Sequence, residues 1–423
     1  MSRMVYNVTK ETQKPKHLMI FDLEVTGHYP GYIRHLVRYW SRKCDDLTNR
    51  EIKISFVVSP EFLTRHADIV NLKKATNIEW VAATEDEHHW YHTSASNPVA
   101  RARAEWVLLC RYARKLGATQ VLMMYIDHLQ LPLALQLPLP CELSGIYFRP
   151  SFHYKHFSVF RPSFKDRLRI LRQSFLWRLA FHHPRLKILF SLDPFAVVSL
   201  QDVSKTNVVH LPDPVEDYQR QPDPFAIRQL RTELGIEDGR IVFLLFGILG
   251  ERKGMYQLLN AIRYLSPSLI KRISLLFVGP LVQVEEQQIN AKIASISAEE
   301  PIQIISRDRF VKDPDIQPYF NLADVVLAPY QSHVGMSAVL VRAAVAGKPV
   351  LASNYGLIGE VVRQYSLGLT LDSTQAGEIA KGISAFLDGS ASEMFDPSCS
   401  ALFACENSAE RFASVLWERL NVE

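Results

Sequence analysis

Phe246-Gly247-Ile248-Leu249-Gly250-Glu251-Arg252-Lys253-Gly254 decides the reading of this chain. The apolar run Ile241–Phe246 leading into it reads as a buried strand, and residues 254–265 after it read as a helix. Glycines let a backbone come close to a ligand. A helix N-terminus offers free N–H groups and the positive end of its dipole to an anion. Arg252 and Lys253 add one forked and one point-like cation, a pair suited to a diphosphate. The Gly-Lys-Ser/Thr ending of a P-loop is absent. With no ligand in view, the same residues also make an ordinary strand-to-helix turn with two solvated cations.

A second turn of this kind lies about 80 residues further on. Ser332-His333-Val334-Gly335-Met336-Ser337 follows the apolar run Val325–Ala328 and the pair Pro329-Tyr330. Ser337 is a natural N-cap for the apolar helix behind it. That helix runs to Gly347-Lys348-Pro349, where another short strand, 350–352, begins. Two anion-ready helix starts after strands of one sheet are a stronger signal than either alone.

Outward from these turns, strand-like runs alternate with helical patterns along the whole chain. In the second half the runs are 241–246, 274–278, 302–305, 325–328 and 350–352. In the first half they are 17–21, 52–58, 78–82, 121–126, 145–148 and 188–191, with helices over 31–43 and 98–115. Such alternation implies parallel sheets covered by helices on both faces, here two doubly wound Rossmann-like α/β domains. The change of texture near residue 205 and the proline-punctuated stretch 219–224 place the division there, giving domains 1–205 and 206–406. Ligands of open parallel sheets bind beyond the carboxyl ends of the strands, so residues just after each strand are the candidates.

In the first half these are Thr26-Gly27-His28, where Gly27 and Gly31 frame a loop and His28 faces a donor phosphate or an acceptor. Asp127-His128 closes the run 121–126, a polar pair at a carboxyl strand end. Arg149 and Asp193 occupy similar strand-end positions. Glu85, Asp86, Glu87, His88, His89 and His92 invite a metal reading, but they lack helical HExxH spacing and read as a solvated polar loop.

Composition bounds the rest. The 423 residues are 48% hydrophobic and 22% charged, an ordinary globular mix. The five cysteines, Cys44, Cys110, Cys141, Cys399 and Cys405, are odd in number and form no CxxC, which argues against a zinc framework or a disulfide scaffold. The start is polar, and the first apolar run is broken by Asp22 and Glu24, unlike a secretory leader. The expectation is a cytoplasmic protein, with peripheral attachment to the inner face of a membrane left open. Residues 161–187 hold eight Lys/Arg and one Asp, +7 against a total of +4, so the remainder of the chain is about −3. Within them Phe164, Leu168, Leu171, Phe175 and Leu179 recur at helical spacing, interleaved with arginines. Two readings stand. The stripe packs on the core and the arginines face water, or the helix lies on an anionic bilayer. No recognition module accompanies the charge, so nucleic acid is not expected as a partner.

The motifs together resemble one family. Residues 246–254 with Leu258-Leu259 are similar to the FG…RKG…LL signature of GT-B glycosyltransferases, specifically the large retaining family numbered four. Asp324-Val325-Val326-Leu327-Ala328-Pro329-Tyr330 resembles its ADVVLxPS element. Residues 335–350 with Glu360-Val361-Val362 resemble its GxxxxLLEAMAxGKPVIAS…G…EVV block. The resemblance covers most of 208–365. It implies a nucleotide-sugar co-substrate held by the C-terminal domain, no further cofactor, no metal, and a saccharide, lipid-linked or small-molecule acceptor on the N-terminal side. It implies catalytic roles for Arg252, Lys253, His128 and Asp127. The donor-binding set is Gly27, His28, Gly247, Phe310, Val311, Ser332, His333, Gly335, Met336, Ser337 and Arg342, with Phe310 and Val311 bordering the base. The last helix, within 407–423, would cross back onto the first domain. Where the family carries two glutamates eight positions apart, this chain has Val334 and Arg342. Guanidinium only donates, so Arg342 is expected to reach a phosphate or to form a structural ion pair. The function implied is retaining sugar transfer. The alternative is a protein that keeps the GT-B fold, has lost turnover and serves as a binding scaffold.

Overall fold

The computed structural model of the chain describes residues 16–43, 52–72, 77–150, 153–154, 157, 159–160, 162, 164–201, 204, 206–215 and 223–421. Residues 219–222 of the linker stretch, and Arg161 and Ser163 of the basic segment, lie outside the described residues.

The strands form two parallel sheets. The first contains β1 (His17–Phe21), β2 (Lys53–Val58), β3 (Ile78–Ala82), β4 (Gln120–Met123), β5 (Glu142–Tyr147), β6 (Leu186–Ser191) and β7 (Asn207–His210), in the order β3-β2-β1-β4-β5-β6-β7. The second contains β8 (Ile241–Phe246), β9 (Ile273–Val278), β10 (Gln303–Arg307), β11 (Val325–Ala328), β12 (Val350–Ser353) and β13 (Gly368–Leu371), in the order β10-β9-β8-β11-β12-β13. Each order reverses once, between β1 and β4 and between β8 and β11. Those crevices are where a doubly wound sheet receives its ligand.

β7 differs from expectation. It pairs with β6, register Ile188↔Asn207 through Ser191↔His210, so the first sheet runs one strand past the division expected after residue 205. The short run 207–210 carries no local mark of its sheet. Backbone pairing with β6 decides it.

Both faces of each sheet are covered, which explains the near-continuous apolar strands. In the first sheet one face packs Trp106, Leu108 and Leu109 of the helix Pro98–Leu116. The other packs Ile33, Leu36 and Trp40 of the helix Tyr29–Lys43. That second face also takes Phe412, Leu416 and Trp417 from the closing helix Ala409–Arg419. The closing helix therefore crosses back, with the Trp40 and Trp417 rings 5.0 Å apart. In the second sheet, Leu340 and Val341 cover one face and Leu258, Leu259 and Ile383 the other.

The two chain crossings between sheets are tied together. Val215 bridges Ser408, and the Asp213 N–H donates to Asn407 Oδ1 at 3.1 Å. Tyr32 Oη–H donates to Asp213 Oδ1 at 2.7 Å, linking this hinge to the first domain.

Candidate active site

The two turns read first from sequence meet on Tyr330. β8 ends at Phe246, and Gly247 turns the chain with φ +114°. A one-turn helix, Glu251–Lys253, then carries both cations. Gly254 follows at φ +77°, where a Cβ would sit 2.1 Å from the Pro329 carbonyl oxygen, so this position accepts only glycine. The close approach seats the cationic turn against the residues after β11. Gln331 N–H donates to Arg252 O at 3.0 Å and pins the contact.

Lys253 is 6% exposed, lies over the Tyr330 ring at 4.2 Å and donates to the Tyr330 hydroxyl. That hydroxyl is 2.7 Å from Ser337 Oγ. Arg252 is exposed, with its guanidinium carbon 5.9 Å from the same ring. Ser337 caps the helix Ala338–Val345, accepting from Val339 N–H, as its place in the sequence suggested. The result is a row of donors, Arg252, Lys253, Tyr330 and Ser337, at one helix start. His333 stacks on Tyr330 at 5.1 Å between ring centres. Loss of hydration lowers its pKa to about 4, assisted by the neighbouring cations Arg252, Lys253 and Arg149. It is therefore neutral at physiological pH.

Other expected donor residues are placed differently. Arg342 is buried and its Nη2 pairs with Asp313, while Gln317 donates to its carbonyl. Of the two fates open to Arg342, the ion pair is the one formed. Val311 is buried in the core beneath β8 and β11 and so packs rather than binds, whereas Phe310 beside it is exposed. Gly247 faces Lys253 closely: a Cβ there would meet Nζ at 3.1 Å. Gly335 shows no comparable crowding, with His333 Nε2 at 3.7 Å as the nearest atom. Ser332 is exposed and holds a left-handed backbone, φ +51°, a conformation that costs a non-glycine residue energy and clusters at functional turns. Met336 is half-buried and its carbonyl faces the His333 ring at 3.4 Å.

On the N-terminal side the carboxylate of Asp127 is already engaged. Its oxygens accept the N–H groups of Phe148 and Arg149 at 3.0 and 3.1 Å, fixing the end of β5. Burial raises its pKa to about 6, against these bonds. Asp127 is thus a brace for Arg149 and not a free catalytic carboxylate. His28 lies among Tyr29, Tyr32 and Phe148, at 4.7 Å from the last, and desolvation followed by repulsion from Arg149 lowers its pKa to about 4. His28 is exposed on the turn and stacks against these rings. Gly27 precedes it on an exposed turn at φ +74°.

His128 is set in a network that sequence reading missed. Its Nδ1 lies 2.9 Å from Glu105 Oε1, and Glu105 is 2% exposed. Arg101 donates to that same oxygen through Nε at 3.2 Å and to Glu24 Oε1 through Nη2 at 2.6 Å. The Tyr91 hydroxyl donates to Glu24 at 2.8 Å. Arg101 and Glu105 stand one helical turn apart, and Glu24 lies three residues past the end of β1. Those signals were present, but nothing local joins them to residue 128. Arg149, one of several strand-end residues in the sequence, also gains weight, because its charge reaches both His28 and His333.

The acidic and histidine-rich stretch is helical. Glu85–Thr93 forms a helix with Thr84 as N-cap and a reciprocal bond from Glu87, correcting the loop reading. Its charges serve structure: Glu87 pairs with Arg111 and accepts from Tyr112 at 2.5 Å. Among the described residues no group of three or more His, Cys, Asp or Glu is placed to hold a metal ion. Among them also, no helix is long and apolar enough to cross a membrane.

This architecture is the GT-B fold of glycosyltransferases. It aligns with the Anabaena protein Alr3699/HepE, solved in complex with UDP, over 96% of this chain and 100% of that one, at 14% identity and TM-score 0.65. It aligns similarly with a glycosyltransferase from Rickettsia africae, over 97% and 99%, at 13% identity and TM-score 0.65. In sequence, residues 226–396 match the family model of glycosyl transferases group 1. A lipopolysaccharide 1,2-N-acetylglucosaminetransferase of Salmonella typhimurium is 32% identical over 151 residues, 35% of this chain and 38% of that protein. The chain thus aligns with 38% to 40% of the length of the curated relatives it matches.

Proposed function

We propose that this protein is a glycosyltransferase that moves a sugar from a nucleoside-diphosphate donor to a hydroxyl acceptor with retention at the anomeric carbon. The observation that carries the reading is the row Arg252–Lys253–Tyr330–Ser337 at the β8/β11 crevice. Lysine has three donors, and Tyr330 takes one. The others, with the N–H groups at the Ser337 helix start, suit the two phosphates of a donor. Fixed donors aimed at departing charge are the main source of rate in such a site.

Departure of the diphosphate breaks the bond from C1 of the sugar to phosphate oxygen. The acceptor oxygen bonds to C1 on the same face, and its proton passes to the leaving phosphate oxygen. This route asks for no protein base and no metal, since the protein cations meet the developing charge. His128, held through Nδ1 by Glu105, presents Nε2 to sugar or acceptor hydroxyls. Phe310, which is exposed, would stack on the nucleobase.

The scaffold alternative drew on Val334 and Arg342. The Arg342–Asp313 pair accounts for Arg342 as structure and leaves the donor row intact, so transfer is the better supported reading. Calorimetry with UDP, GDP, ADP and their sugar conjugates tests it. Micromolar binding of one nucleotide, weakened by roughly a hundredfold in Lys253→Ala, is the expected result. No binding by any of them would overturn it.

A further inference from the structure

The basic helix Phe164–Ala180 does not bury the stripe that its sequence displays. Phe164, Leu168, Leu171, Phe175 and Leu179 remain between 41% and 77% exposed, while Trp177 and Ala180 are fully buried. At 3.6 residues per turn the five exposed side chains fall within about 80° of arc, nearly opposite Trp177. Trp177 anchors the helix from beneath, 4.5 Å from the Tyr147 ring and 5.4 Å from Phe181. The expectation that the stripe packs on the core is therefore reversed.

The charges are arranged around the stripe. On the same wheel Lys165, Arg169 and Arg172 border one side, and Arg167 and Arg178 the other. All five are exposed. Asp166, the one acidic residue of the helix, is spanned by Arg169 at 2.8 Å. Leu135, itself 62% exposed, and Leu137 extend the apolar patch past the helix end, where Gln136 donates to the Leu179 carbonyl at 3.2 Å.

From this geometry we infer that the helix Phe164–Ala180 docks on an anionic lipid bilayer. An outward apolar ridge between two rows of arginine is the complement of such a surface: acyl chains receive the ridge and phosphate headgroups meet the guanidinium groups. A second protein surface would need acidic residues on both sides of an apolar groove, and a second copy of this helix would set arginine against arginine. The helix begins beside the cleft. Phe160, just before it, lies 5.7 Å from Tyr355 of the second domain. Tyr355 leads into the helix Gly356–Gln364, whose Leu357 N–H reaches Val334 O beside His333. Docking therefore brings the mouth of the cleft to the lipid surface. Resting on the transferase reading, the acceptor class follows: an amphiphile held in that bilayer, its hydroxyl headgroup reaching the crevice.

Sedimentation of the full chain with vesicles of phosphatidylglycerol and phosphatidylcholine tests the docking without needing any donor or acceptor. Binding is expected at low salt, weakening as salt screens the headgroups. Replacing Arg167, Arg172 and Arg178 by Gln should weaken partitioning by about fivefold per charge. Leu171→Ser with Phe175→Ser keeps every charge and should weaken it by at least about tenfold. Both variants should bind nucleotide like the parent, which shows that they fold. Failure to bind anionic vesicles at low salt overturns the inference, as does unchanged binding in both variants. A parent dimer that Leu171→Ser with Phe175→Ser turns into monomer also overturns it, because a second copy would then cover the stripe. Vesicle binding without any nucleotide binding would leave the docking standing and remove the transferase reading.

Discussion

The two sheets share one winding and differ in what their strand ends carry. Beyond β8 and β11 stand cations and hydroxyls: Arg252, Lys253, Tyr330 and Ser337. Beyond β1, β4 and β5 stand Glu24, His28, Tyr125, His128 and Phe148, with Glu105 reaching His128 from the helix Pro98–Leu116. One crevice gathers cations and hydroxyls around Tyr330. The other gathers aromatic rings and carboxylates that are already paired with Arg101, Tyr91 and His128. The same fold supports both because the sheet fixes only the backbone at a crevice, and the few residues after each strand set its chemistry.

The largest test of this contrast is Lys253→Ala. It removes a buried cation facing the anion site, and such losses cost about 3 kcal/mol, roughly a hundredfold in affinity. Nucleotide binding by calorimetry should fall by that order, and Lys253→Arg should not restore it, because a planar fork does not fit the space over Tyr330. Equal affinity in Lys253→Ala would mean that the anion site lies elsewhere.

Next is Glu105→Gln on the opposite wall. It keeps the shape but weakens the hold on His128 and Arg101. Turnover should drop by about tenfold while nucleotide affinity stays unchanged. A parallel loss of affinity would dissolve the division of labour between the two walls.

Ser337→Ala removes a helix cap and one donor of the row. About 1 kcal/mol of stability, read from the denaturant midpoint, and a severalfold loss of nucleotide affinity are expected. Loss of stability alone would make Ser337 a cap only.

The smallest effect is on pH. His333 has its folded pKa lowered to about 4 from an ordinary 6.5. A depressed pKa gives stability that is present above pH 6.5 and lost as pH falls toward 4, because the unfolded chain takes up the proton first. His333→Gln should therefore flatten the acid limb of the stability curve between those values. An unchanged limb would mean that the imidazole is not held neutral.

Much of the second domain could be read directly. The strand before Gly247, the cations after it, and Ser337 as a cap depend on neighbours a few residues apart, and the chain writes such relations as period and spacing. Other features needed partners far along the chain. Asp127 is held by Phe148 and Arg149, Arg342 by Asp313, and His128 by Glu105. Each pair is set by which strand and helix ends meet, so a residue's chemistry looks free in sequence and is taken up in the fold.

The basic helix shows the same division. Its sequence fixed a stripe and a set of arginines, since a period of 3.6 needs only the order of residues. Which face turns inward was not determined there. Trp177 and Ala180 anchor the other side to the first sheet, leaving Phe164, Leu171 and Phe175 outside. By itself the sequence determined two wound sheets and the cations and helix cap that follow β8 and β11, because those follow from local pattern. Only the tertiary structure decided which carboxylates are spent, which sheet takes β7 and which side of the helix meets the surroundings, because those follow from burial against distant parts of the chain.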